Sequence, residues 1–171
     1  TNKLIAYNNA KRVIKLTKCD AIKLEGGIKI VNIIKYLVKK GIPVVGHVGL
    51  MPQTSTNFKV KGKNFVQKKK ILKDALAISN SGAFAIIIEC VVENLARKIT
   101  KSVSIPTIGI GASRYCDGQI LVTEDMLGLS DFSPKFVKQY TNLNKIMEKS
   151  IKNYVKDVKM RRFPSFRYVY K

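Results

Sequence analysis

Residues 41–54 read GIPVVGHVGLMPQT, and the rest of the chain is arranged around them. Residues 42–45 predict a short buried strand opened by a proline. It runs into a loop bracketed by Gly46 and Gly49 that carries the only histidine of the sequence, His47. A strand that is apolar along its whole length, with no polar residue at alternate positions, is covered on both faces.

Working outward, the same pattern repeats. Residues 21–24 read as a strand ended by Glu25-Gly26-Gly27, residues 83–88 as an all-apolar strand finishing on Glu89, and residues 105–110 as a strand passing into GIGAS. A last short strand is expected at 120–122. Between them lie amphipathic helices. Ala6, Ala10, Val13 and Ile14 mark one face of a helix over 2–16, with Thr1 as its expected N-cap. Ile30, Ile33, Ile34, Leu37 and Val38 mark a second, stopped by Gly41. Leu72, Ala75 and Leu76 mark a third that ends near Gly82, and Val92, Leu95, Ala96 and Ile99 a fourth. Phe136, Tyr140, Leu143, Met147, Ile151, Val155 and Val158 predict a long helix over about 134–160, followed by a basic aromatic tail at 160–171.

Apolar strands alternating with amphipathic helices mean an α/β fold with a parallel sheet covered by helices. The sequence leaves two architectures open, a doubly wound sheet and a (β/α)8 barrel. Four or five units are too few for a closed barrel, which takes about 250 residues, so on the barrel reading this is an incomplete one. With 171 residues, 46% of them hydrophobic, the chain is expected to form a single domain.

The net charge of +21 points first to nucleic acid. The excess is mostly Lys, however, spread over nearly every segment and accompanied by much Ile and Asn. Phosphate binders cluster Arg, whose planar fork matches phosphate. Solvated Lys-rich faces are the simpler reading, and only the tail MRRFPSFRYVYK interleaves Arg with aromatics. The three cysteines form no close pair, which argues against a disulfide framework or a zinc site. No apolar run approaches a membrane span and the first residues do not form a signal peptide, so a cytoplasmic protein is expected.

Lys23, Glu25, His47 and Glu89 fall at or just past the C-terminal ends of successive strands, where parallel-sheet enzymes collect their chemistry. A glutamate ending a buried run is desolvated and gains proton affinity, which suits proton abstraction next to a carbonyl. Lys23 offers a charge to a substrate carboxylate. Glu25, on the same side of its strand, could hold a hard divalent cation. His47 could hydrogen-bond a substrate oxygen. A surface ion pair for Lys23 and Glu25, and a satisfied loop histidine, are the plainer readings. The Gly109-Ile110-Gly111-Ala112 turn lacks the third glycine of a dinucleotide fingerprint.

Six blocks in order carry a resemblance: DAIKLEGG (20–27), GIPVVGHVGLMPQ (41–53), AFAIIIECV (83–91), IPTIGIGA (105–112), CDGQILVTEDMLGL (116–129) and PKFVKQY (134–140). Together they resemble the ketopantoate hydroxymethyltransferase family, which makes the pantothenate precursor 2-dehydropantoate. The resemblance implies a (β/α)8 barrel, of which this chain would be a C-terminal portion, and a homo-oligomer, a decamer in the family. It implies 3-methyl-2-oxobutanoate as substrate, 5,10-methylenetetrahydrofolate as one-carbon donor and Mg2+ as cofactor. Glu89 would be the general base, Lys23 and His47 would bind substrate, and Glu25 would belong to the magnesium site. The family's other metal-binding aspartates and a substrate-holding serine lie ahead of the first block and have no counterpart here. Residues 54–58 lead to KVKG (59–62) by a shorter path than in the family, and Ser113 stands where glycine is usual. An inactive family member, a different metal-dependent 2-oxo-acid lyase on a related barrel, and a basic nucleic-acid-binding fragment are the rival readings.

Overall fold

The computed structural model describes residues 2–55, 59–131 and 133–170. They form two compact units, residues 1–120 and 121–171.

The first unit alternates helices and strands. Helix α1 (Lys3–Thr17) is capped by Asn2, whose side chain accepts the Leu4 N–H at 2.8 Å, and it ends at Lys18 in a left-handed conformation. The expected cap, Thr1, lies outside the described residues. Strand β1 (Ile22–Glu25) leads through a 3-10 turn (Gly27–Ile30) into α2 (Val31–Lys39). Then follow β2 (Val44–Gly49), α3 (Phe65–Ser79), β3 (Ala85–Glu89), α4 (Glu93–Ser102), β4 (Thr107–Ile110) and β5 (Gly118–Gln119).

All five strands are parallel, and their spatial order is β1-β2-β3-β4-β5, the order of the sequence. A doubly wound sheet reverses direction at a switch point and carries helices on both faces. Here nothing reverses, and the apolar residues of α1 to α4 join Ile22, Leu24, Val44, Val48, Ile86 and Ile88 in one core. The helices therefore share one face of the sheet, which excludes the doubly wound alternative. Gly46 admits this close packing: a Cβ there would stand 2.2 Å from Cγ2 of Ile78 on α3.

Several expected boundaries move. The last strand forms at 118–119 and not at 120–122, because Asp117 accepts both the backbone N–H and the hydroxyl of Thr107 at 2.8 Å and pins the chain beside β4 at that point. These bonds hold the Asp117 carboxyl below the usual carboxylate range. The ladder closes with Ile120 donating its N–H to the Gly109 carbonyl.

In the second unit, α5 (Thr123–Met126) precedes α6 (Leu143–Lys159). The helix expected from about 134 starts only at 143, where the Asn142 side chain accepts the Lys145 N–H at 3.0 Å. That cap ends the preceding irregular segment, so Phe136 and Tyr140 are not on the helix. In the tail, the Phe163 ring packs edgewise on Tyr154 of α6 and tilted on Tyr168. Among the described residues, no helix is long and apolar enough to cross a membrane.

Candidate active site

Side chains alternate across a strand, so the residues between the core positions point away from the helices. On β1 these are Lys23 and Glu25, on β2 Val45 and His47, and on β3 Ala85, Ile87 and Glu89. Register sets Glu25 opposite His47, and Gly49 opposite Glu89. The four residues singled out from the sequence thus share one face near the C-terminal ends of three adjacent strands.

His47 lies within strand β2 and not in a loop, because β2 continues to Gly49. Its side chain is wholly buried. Nε2 donates to the Leu50 carbonyl at 2.5 Å, and Nδ1 is buried with no hydrogen-bond partner. Burial lowers its proton affinity more than the Leu50 carbonyl and Glu25 raise it, while the Lys23 charge lowers it further. The imidazole is therefore neutral at pH 7 with its proton on Nε2. The same atom lies 3.6 Å from Oε2 of Glu89, a distance longer than a hydrogen bond.

Glu89 ends β3. Burial raises the proton affinity of its carboxyl, with Lys23 pulling it down and Glu25 pushing it up. Two backbone details fix its position. Gly49 takes a positive φ of 99°, and a Cβ there would fall 2.1 Å from the Glu89 carbonyl oxygen, which instead accepts the Leu50 N–H at 2.8 Å. Cys90 then turns the chain with φ 49°, the left-handed region that a non-glycine residue enters at a cost. Its thiol is buried, and burial with the neighbouring Glu89 charge holds its proton on, so it is no nucleophile.

Both carboxylate oxygens of Glu25 are buried without a hydrogen-bond partner. The Lys23 ammonium stands 3.7 Å from one of them, outside hydrogen-bonding range, and is itself partly exposed. A buried carboxylate left in this condition is costly unless a cation or donor meets it. As a donor it suits a hard divalent cation. Among the described residues, however, no group of three or more His, Cys, Asp or Glu side chains converges to hold a metal. Glu25 fits one ligand of a magnesium site and not the whole of one.

Sequence reasoning passed over Asp74. It stands on α3 four residues after Lys70, is buried, and accepts the Ile28 N–H at 2.9 Å. Ser113, noted only as a departure, is buried and donates its hydroxyl to Glu93 at 3.1 Å, tying the turn after β4 to the start of α4. The shortened path at 54–58 lies partly outside the described residues.

The family model described as ketopantoate hydroxymethyltransferase matches residues 1–166. This chain belongs to the ketopantoate hydroxymethyltransferase family. Among the relatives of that family, the 3-methyl-2-oxobutanoate hydroxymethyltransferase of Pelagibacter ubique is 50% identical over 165 residues, 96% of this chain and 64% of the relative. That of Phenylobacterium zucineum is 52% identical over 93% of this chain and 59% of the relative. That of Bartonella quintana is 53% identical over 97% and 62%. The chain thus spans about three fifths of the length of these family members. A solved structure, dihydrodipicolinate synthase from Oceanobacillus iheyensis, aligns over 61% of this chain and 36% of its own, with 14% identity and a TM-score of 0.41, too low to bear on the fold.

Proposed function

We propose that this chain carries the proton-abstracting part of a 3-methyl-2-oxobutanoate hydroxymethyltransferase. The observation that carries the reading is Glu89: a carboxylate of raised proton affinity at the end of a buried strand, on the same face as Lys23, Glu25 and His47. Family membership names the chemistry that such a face would serve.

In this reading Lys23 pairs with the substrate carboxylate and fixes the 2-oxo acid over the sheet. Glu89 removes the proton from the methine carbon next to the keto group, leaving the enolate. His47 lies on the same face; its Nε2–H, now given to the Leu50 carbonyl, is the donor it can offer a substrate oxygen. Glu25 would supply one ligand to magnesium. Bound there, the ion would act as a Lewis acid on the keto oxygen and make the methine proton more acidic. The enolate carbon then bonds to the one-carbon unit of 5,10-methylenetetrahydrofolate, and both C–N bonds of that unit break in turn, each nitrogen ending with a proton. Water supplies the new hydroxyl group, giving 2-dehydropantoate and tetrahydrofolate.

We further propose that the sheet of the first unit is part of a (β/α)8 barrel, and that the enzyme is a cytoplasmic homo-oligomer. The unreversed strand order and the one-sided helix layer support that architecture.

The test is proton–deuterium exchange at the methine carbon of 3-methyl-2-oxobutanoate, followed by NMR in D2O with Mg2+ and no folate. Exchange that needs both Mg2+ and Glu89 supports the reading. A folded, soluble chain that gives no exchange above the buffer rate, alone or mixed with the remaining part of a relative, overturns it.

A further inference from the structure

We infer that Asp74, on α3, is a positioning residue for Glu25, acting through the Gly26-Gly27 turn. The role rests on the function proposed above for Glu25.

Glu25 has no side-chain hydrogen bond, and the Lys23 ammonium stands beyond hydrogen-bonding range, so the placement of its carboxylate depends strongly on the backbone. Two glycines follow Glu25, Gly26 at φ 142° and Gly27 at φ 59°, both conformations that L residues avoid. Two glycines in succession leave the end of β1 free to swing unless something holds it. The 3-10 turn after them has no side-chain cap at Gly26, α2 has none at Ile30, and neither has an acidic residue in its first turn.

Asp74 takes that place from 46 residues away. Its Oδ1 accepts the Ile28 N–H at 2.9 Å, and its Oδ2 receives the Lys70 ammonium at 2.7 Å. The carboxylate sits directly against Gly27, where a Cβ would stand 2.5 Å from the Asp74 Cγ. The glycine is therefore the gap into which Asp74 fits, and the acid is the clamp that fixes what the glycine leaves loose. Lys70 is largely exposed, and its ammonium occupies the carboxylate oxygen that Ile28 leaves free. The double-glycine turn beside the site is thus tied to α3, the helix that packs against β2 and β3.

The test compares Asp74→Asn, which keeps an oxygen acceptor for Ile28, with Asp74→Leu, which removes it. The full chain is labelled for NMR and studied without metal. Asp74→Leu is expected to speed amide hydrogen exchange at Ile28 about tenfold or more and to shift the Glu25 carboxyl carbon signal, with the β3 and α4 amides unchanged. Asp74→Asn should restore both signals towards wild type. In the methine-exchange assay, Asp74→Leu should add less than about twofold to the loss already caused by Glu25→Gln. An unmoved Glu25 signal, an Asn variant as damaged as the Leu variant, or a full additional loss on top of Glu25→Gln overturns the inference. If the wild-type chain shows no methine exchange, the proposed function fails, and the two metal-free NMR signals still decide the role of Asp74.

Discussion

The two faces of one sheet solve opposite problems. Towards the helices, Val44, Ile86 and Ile88 are fully or almost fully buried against Ile34, Leu37, Ile78 and Ile99, and every contact there favours folding. One residue further along each strand, the other face buries His47 with an unpartnered nitrogen and Glu25 with two unpartnered oxygens. A polar group taken from water and given no partner opposes folding. The difference teaches that alternation along a β-strand separates the work of holding the fold from the work of the site, at a spacing of a single residue. The helix side can then carry the stability that the polar side gives up.

The comparison breaks first at Glu89. Glu89→Gln should lower Mg2+-dependent methine exchange by about 10²–10⁴-fold, the range for loss of a general base, as read by NMR in D2O. The same variant should be the more stable protein at pH 8. The folded-state pKa of Glu89 lies above its unfolded value, so the folded chain binds more protons in that window and wild-type stability falls as pH rises through it. A thermal midpoint at pH 8 that drops in Glu89→Gln contradicts this. Exchange by the wild type should need a pH above the ordinary carboxylate range, since the base must be ionised.

On the helix side the signs reverse. Ile86→Ala should cost about 2–5 kcal/mol in urea unfolding, because a fully buried side chain leaves a cavity, while exchange per folded molecule holds. A smaller loss of about 1–3 kcal/mol is expected for Gly46→Ala, whose methyl would overlap Ile78. Combining it with Ile78→Val should recover part of the loss, and a purely additive double variant would argue against the contact.

The smallest effect belongs to His47. Its folded pKa is depressed below 6.5, so on acidification the unfolded chain takes up a proton that the folded chain refuses. Stability should decline as pH falls below about 6.5, by no more than about 1.4 kcal/mol per unit. His47→Gln should flatten that part of the profile, and an unchanged slope would place the acid sensitivity elsewhere.

Much of this was legible in the residues because the helix side obeys simple periodicity. The apolar runs at 83–88 and 105–110 overlap β3 and β4, and the helix stripes at 30–38 and 92–99 fall on α2 and α4. The placement of Lys23, Glu25 and Glu89 on strand ends followed from the same pattern. His47 was harder, since Gly46 and Gly49 look like loop punctuation. Only the packing of Ile78 over Gly46, and of the Glu89 carbonyl against Gly49, shows that the glycines serve close approach within a strand. Asp74 carried no signal at all, because its partner is 46 residues away and a Lys at i−4 is the ordinary company of a surface acid. The late start of α6 could have been read from Asn142, a good N-cap residue, but the apolar spacing of Phe136 and Tyr140 extended the pattern backwards.

The chain has one histidine, and it stands sealed in the middle of the polar face. Its ring protons give a single pair of resonances in a crowded spectrum, with no second imidazole to confuse them. Because Glu25, Lys23 and the Leu50 carbonyl all act on that ring, any event that changes charge at the site shifts the same two lines. The protein thus contains its own indicator, and one unlabelled proton spectrum can report whether a candidate ligand has arrived.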